Sequence, residues 1–427
     1  MTARPILRRA GTLAAALLVL ASAAAPAAAG GTKFAWTTKS KEAAELASRI
    51  MTQIETMSVT PATAADAQKV VELDPDFAFG HYLVATFNQG TNQELAKREA
   101  EKAVALSQKA SEGEREYIGA VLQFRAGEID KALPRLQAVA AKYPDERLVH
   151  MMVGQVSAAA GKPAEARAAY QRAVALDPSL PRVYAFLGNL ELLAENYGTA
   201  REAYAKAASM APKGAIPFNA LFGTVFSYVH EGQYDVAAQK LAAMREDYLK
   251  NNGPAQFPEV FLWNALARVH LEGGKPELAL EEYKKGYDSI PGSSLPEDQK
   301  KTWLGRMHHG MGRSLARMGK HEEAWKHADT IKKMIEEGGE AGKQYWPAYH
   351  YMAGYLKLEA GDAKAAVEHL AQADKTDPFH MLLLGRAYEK AGDRENAAKA
   401  FKAVVDTQQV SMERALAYAE AKRKLQR

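Results

Sequence analysis

The sequence predicts an all-α array of repeated helix pairs, and three observations carry that prediction. Pro144, Pro178 and Pro212 stand 34 residues apart. Ala132, Ala166 and Ala200 keep the same interval, as do Leu136, Tyr170 and Tyr204, and Val139, Ala173 and Ala207. No stretch alternates apolar and polar residues with the two-residue period of a strand. A fixed period of this size copies one supersecondary unit along the chain, and each unit buries its apolar face on the next. Function is then to be sought on an extended surface rather than in a catalytic pocket.

The clearest unit runs from Pro181 to Gly214 and holds Tyr184, Leu187, Gly188, Tyr197, Ala200, Tyr204, Ala207 and Pro212. Gly188 and Ala200 allow two helices to approach closely, and Tyr204 fills the space beyond. Gly161 suits the positive φ that ends a first helix. Pro178 and Pro212 cannot continue a second helix. This pattern resembles the tetratricopeptide repeat, with Tyr184 in place of its Trp, Leu187-Gly188 matching, and Ala200-x₃-Tyr204 matching with an aromatic exchange. Glu191 departs from the family's Tyr. The resemblance implies a right-handed α-solenoid of about nine helix-turn-helix repeats.

Residues 41–112 read as degenerate N-terminal repeats, with helix pairs at Lys41–Met57 with Thr63–Leu73, and Phe77–Phe87 with Leu95–Ala110. Residues 113–214 hold three regular repeats. Residues 215–410 hold looser ones, marked by Gly232 and Ala237, by Gly274 and Ala279, by Gly312 and Gly319 from about Gly305, by Gly354 and Ala366, and by Gly385 and Ala397. Gly223 falls off the small-residue position of its unit. Residues 411–427 have helical apolar spacing and a basic end, as a solvating C-terminal capping helix would.

The first 29 residues read as an address. Arg4, Arg8 and Arg9 precede an apolar stretch from Leu13 to Ala25, and Ala27-Ala28-Ala29 offers a small-x-small cleavage site before Gly30. That is the order of a secretory signal peptide, too short and alanine-rich for a permanent span. Ala10-Gly11-Thr12 after the arginine pair fits twin-arginine export poorly, so ordinary secretion is expected. Residues 30–40 read as a linker. The formal charge is +4, and removing those three arginines leaves +1, so the basic pI of about 8.8 gives no argument for nucleic acid. With no cysteine, disulfides, thiolate metal sites and cysteine nucleophiles are excluded.

No G-x-S-x-G, H-E-x-x-H or P-loop motif is present. His308, His309, His321 and His327 fall in one unit, but no i, i+4 pair offers metal spacing. A stripe of positive charge is more informative. Arg306, His309, Arg313 and Arg317 share one face of a first helix. In tetratricopeptide arrays, the resemblance implies, this face lines the concave groove that binds extended peptides. Arg268 and Arg386 take equivalent places in other units. Together they suit acidic side chains or a terminal carboxylate. Tyr351 and Tyr355 are expected as exposed aromatic anchors in the same groove, and Asn189 and Asn264 also fall at groove positions. The lysines of the family's carboxylate clamp are missing, so a chaperone-tail receptor is not expected.

The expectation is therefore an exported, non-catalytic scaffold, periplasmic or extracellular, needing no cofactor or metal. It binds a protein or peptide partner along its concave groove, where the arginines suit acidic groups. It has no nucleic-acid partner and no membrane span after signal cleavage, and its oligomeric state is open. A self-assembling envelope component is the alternative, and a small-molecule-binding protein a more distant one. Reversing Arg313 and Arg317 to Glu is expected to spare the helices and abolish capture.

Overall fold

A computed structural model of the chain describes residues 32–89, 92–213, 215, 217–251 and 259–426. The expected signal segment 1–29 lies outside them. Among the described residues there is no strand. The helices come in successive antiparallel pairs: α1 (Lys41–Glu55) with α2 (Pro61–Leu73), α3 (Ala78–Asn88) with α4 (Gln93–Ser107), α5 (Glu112–Arg125) with α6 (Ile129–Lys142), α7 (Arg147–Ala159) with α8 (Pro163–Leu176), and α9 (Pro181–Leu193) with α10 (Tyr197–Ser209). There follow α11 (Phe218–His230) with α12 (Tyr234–Asn251), α13 (Val260–Glu272) with α14 (Pro276–Ser289), and α15 (Glu297–Arg317) with α16 (His321–Glu337). After the short α17 (Gly339–Gly342) come α18 (Trp346–Glu359) with α19 (Ala363–Leu370), α20 (Pro378–Lys390) with α21 (Arg394–Asp406), and the single α22 (Met412–Leu425).

Local chemistry sets these boundaries. Ser40, Ser111, Asp362 and Asp393 accept backbone N–H bonds at helix N-termini, where four donors otherwise lack partners. Pro163, Pro181, Pro276 and Pro378 occupy first turns, where a missing N–H costs nothing. Gly161 closes α7 at φ +70°, as its spacing predicts. α15 begins at Glu297, well ahead of the start expected near Gly305, and carries Glu297 and Asp298 in its first turn, where the helix dipole favours acids.

Glycine–aromatic contacts lock the α7–α8, α9–α10 and α20–α21 pairs. A Cβ on Gly188 would lie 2.6 Å from the Tyr204 ring, and one on Gly154 2.3 Å from Tyr170. Tyr204 also meets Gly223 of the next pair, at 2.3 Å from an added Cβ. Gly223 is thus a contact glycine facing the preceding unit, whereas the spacing places it off the small position. Such contacts leave no room for a methyl group, so packing fixes the helix spacing.

First helices form one layer and second helices the other. α3 packs on α5, α5 on α7, α7 on α9, and α9 on α11, while α13 touches α15, and α18 touches α15 and α20. Each second helix lies against its own partner and the following first helix. The layer of first helices is the inner face of the array.

Candidate functional site

The inner face already holds two segments of the chain itself. Residues 32–40, read from the sequence as linker, lie across the early first helices. Trp36 stacks on Phe79 with ring centroids 3.7 Å apart and meets Tyr117 edge-on at 5.8 Å. Phe34 takes the space beside Gly113 that a side chain would need. The Thr37 N–H donates to Glu114 at 2.6 Å, and the Asp145 N–H donates to the Thr32 carbonyl at 3.1 Å. Burial pushes the Glu114 carboxyl upward despite the bond from Thr37. α1 continues this cover. Arg147 of α7 donates to the buried Glu55 at 2.6 Å, and Arg182 of α9 donates to the Ile54 carbonyl at 3.4 Å.

In the later units α22 takes the corresponding place. It packs on α20 and α21, as a cap does, and also on α11 and α13. Arg386 forks onto Glu420 with bonds of 2.8 and 2.5 Å, and Arg268 pairs with Glu413. Burial works against charge on Glu413, but the Arg268 guanidinium outweighs it and holds the carboxyl down at about 2. Arg414 donates to Nε2 of His230 at 3.3 Å and to the Thr407 carbonyl at 3.1 Å. Glu195, at the end of α9, accepts from Tyr418 at 2.9 Å and from Lys422 at 2.5 Å. Val410 and Met57 both pack on the cluster around Tyr184 and Tyr204, so the two covering segments converge near α9 and α10.

Arg268 and Arg386 are taken up by α22, and most of the other predicted site residues are engaged by neighbouring repeat helices. Tyr355 is fully buried and Tyr351 is 9% exposed, so neither is an open anchor. Tyr351 sits in a ring stack, 4.2 Å from His309 and 3.9 Å from His380. The His309 Nε2–H donates to the Ala348 carbonyl at 3.3 Å, and burial drives its proton affinity well below the ordinary value. Arg313 is buried too, donating to the Tyr283 hydroxyl at 3.1 Å, with Glu272 at 3.8 Å. Glu272 also lies 3.8 Å from Arg317, whose guanidinium reaches the Tyr355 hydroxyl at 3.5 Å. Reversing Arg313 and Arg317 would therefore place carboxylates against buried Glu272, and the expectation that this spares the fold is corrected: such an unpaired buried charge is strongly destabilising. Asn189 accepts from the Tyr204 hydroxyl at 2.7 Å, and Asn264 is half-buried. Arg306 alone of the stripe is exposed, with its guanidinium 4.8 Å from the Trp303 ring and no carboxylate at ion-pair distance among the described residues.

The structure adds contacts that sequence spacing missed. His308 and His327 approach at Nδ1 to 2.8 Å, and His350 and His369 repeat the arrangement at 3.0 Å. Each joins the two helices of one pair and presents two ring nitrogens. No group of three metal-ligating side chains converges among the described residues. Glu195 had a readable signal. At the turn between paired helices, Gly127, Gly161, Gly232, Gly274, Gly319, Gly361 and Gly392 all have positive φ, and Glu195 holds the same conformation at φ 64° without being glycine. A non-glycine residue kept there marks a contact the side chain makes.

Among the described residues no helix is long and apolar enough to cross a membrane. No curated protein matches the chain. Several solved structures are similar in fold. The type IV pilus biogenesis factor PilW is 14% identical, with a TM-score of 0.40 over 54% of this chain and 97% of its own. The APC/C Cut9–Hcn1 hetero-tetramer is 14% identical, with a TM-score of 0.42 over 88% and 68% respectively. A tetratricopeptide repeat protein of Parabacteroides merdae is 16% identical, with a TM-score of 0.37 over 62% and 99%. The tetratricopeptide repeat family model matches residues 119–181, 161–215 and 351–411. Those stretches contain the Gly154–Tyr170, Gly188–Tyr204, Gly354–Leu370 and Gly385–Phe401 contacts, and over them the chain carries tetratricopeptide repeats.

Proposed function

We propose that this protein is an exported, non-catalytic scaffold that binds a protein or peptide along the inner face of its helical array. One observation carries the reading. The inner face already engages two stretches of polypeptide, one extended and one helical, through aromatic stacking and forked arginine–carboxylate bonds. A surface that orders its own chain this way has the chemistry to order another. Arg306, the exposed cation beside this face, is the contact left for an acidic group of the partner. Export rests on the arginine-led apolar segment ahead of Gly30.

The mature chain from Gly30 is immobilised and its partners are captured from its own envelope fraction. Arg306→Glu is captured against in parallel. Arg306 is exposed, so its helical circular dichroism is expected to match that of the unaltered chain, and the principal captured protein is expected to fall at least tenfold. If every captured protein binds both forms equally, the inner face is not the binding surface.

A further inference from the structure

The inner face of the later units is cationic once α22 is set aside. Arg268, Arg306, Arg313, Arg317 and Arg386 gather there, and Glu272 is the carboxylate facing them from the first helices at ion-pair distance. The other two carboxylates, Glu413 and Glu420, come from α22. They stand seven residues apart, two turns on one helix face. On the same helix Met412, Ala415, Leu416, Ala417, Tyr418 and Ala421 are buried. α22 is thus held by apolar packing together with these two charge pairs, and the pairs fix its register on the arginines.

The fit is also incomplete. Nε of Arg268 and Nδ1 of His230, two residues that meet α22, are buried without a hydrogen-bond partner. A buried donor left unmet carries its full desolvation penalty. A ligand with more acceptors would satisfy what α22 leaves open. The Glu195 backbone, held in the left-handed region, adds strain that its contacts to Tyr418 and Lys422 must offset.

From this geometry we propose that α22 is a built-in occupant of a docking site for an amphipathic helix of another protein, one with carboxylates seven residues apart, and that this partner binds by displacing α22. The inference rests on the scaffold reading and names its partner class and its control. The tether from Asp406 to Met412 is short, so α22 competes at an effective concentration on the order of millimolar. The face is therefore closed until a better acidic helix arrives.

Two measurements test this on the full mature chain. In the first, a fluorescein-labelled synthetic peptide of residues 407–427 is titrated by anisotropy against the unaltered chain and against a Glu413→Arg, Glu420→Arg variant. The variant's own helix is repelled by Arg268 and Arg386. The peptide is expected to bind it at least tenfold more tightly than it binds the unaltered chain, and a peptide carrying the same two arginines is expected not to bind. Equal binding to both forms, or none to a variant with unchanged circular dichroism, overturns the proposal. The second needs no variant: amides of residues 412–425 are expected to exchange at least a hundredfold faster than those of residues 382–387 in α20. Equal protection makes α22 a fixed cap and overturns the proposal. A concentration-dependent dimer that exchanges α22 between copies overturns the partner class. If these results fail while Arg306-dependent capture persists, the scaffold reading stands without this control. If they succeed while no captured protein depends on Arg306, the displaceable helix stands and the broader reading falls.

Discussion

The early and late halves of the array cover their inner faces by different physics. From Phe34 to Glu55 the cover is aromatic and extended at one end and helical at the other, with Trp36 stacked on Phe79 and several backbone N–H groups committed. From Ser411 to Leu425 the cover is one helix held by arginine–carboxylate and lysine–carboxylate pairs. Aromatic burial is insensitive to salt and pH. Charge pairs at a partly open face respond to both. The same repeat architecture therefore carries one closure weighted to packing, with Arg147–Glu55 as its charge pair, and one weighted to charge pairs that conditions can loosen.

The largest effect expected belongs to the side weighted to packing. Phe79 is fully buried between Trp36, Phe77 and Tyr82. Phe79→Ala removes the ring on which Trp36 stacks and is expected to cost about 3–5 kcal/mol, the range for truncating a core phenylalanine. Urea unfolding followed by circular dichroism reads it. A loss below about 1 kcal/mol would show that the N-terminal cover is loosely held, and the contrast between the halves would collapse.

Acid is expected to act on the other half. The histidines whose proton affinity is depressed lie between His230 and His380, and burial is the first cause in each. His230 is lowered to about 3 by burial, with Arg414 reinforcing the effect and Glu195 opposing it. Tyr197 stacks on its ring and Tyr418 meets it edge-on. Its folded-state affinity lies below the unfolded value near 6.5, so the unfolded chain takes up the proton first. Its contribution is whole above pH 6.5 and is lost as pH falls from there toward 3. Between pH 7 and 5.5 this one group removes about 1 kcal/mol. His230→Gln keeps an acceptor for Arg414 and is expected to flatten the pH dependence of urea midpoints by that amount. An unchanged slope would remove His230 from the account.

Much of the fold was legible in spacing, because periodicity reports packing between neighbours. Gly188, Ala200 and Tyr204 could be read as a close helix contact since each belongs to one unit. The occupancy of the inner face could not, because Trp36 meets Phe79 and Glu420 meets Arg386 across whole units, where no period constrains them. Arg313 and Tyr355 are buried by neighbours on other helices, which no spacing along one helix reports. A helical period gives the direction of a side chain and leaves open what it meets. Glu195 stands where the other turns carry glycine, and its meaning shows only in its contacts to Tyr418 and Lys422.

The smallest effect expected is also the most discriminating. Glu195→Gly relaxes a left-handed residue, worth about 1 kcal/mol or slightly more. It also frees the unfolded chain, which offsets part of that gain. The variant loses the Tyr418 bond to a carboxylate, about 1.5 kcal/mol, and the half-exposed Lys422 pair, worth less than 1 kcal/mol. These terms nearly cancel, so global stability is expected to move by no more than about 1 kcal/mol. Local opening of α22 is expected to change more clearly, because every lost contact is to that helix and none is to α1. Amides 412–425 should exchange several-fold faster while those around Phe79 keep their rates. If global stability fell by several kcal/mol and exchange in 412–425 stayed the same, Glu195 would be a fixture of the α9–α10 turn, and the late half would be closed as firmly as the early one.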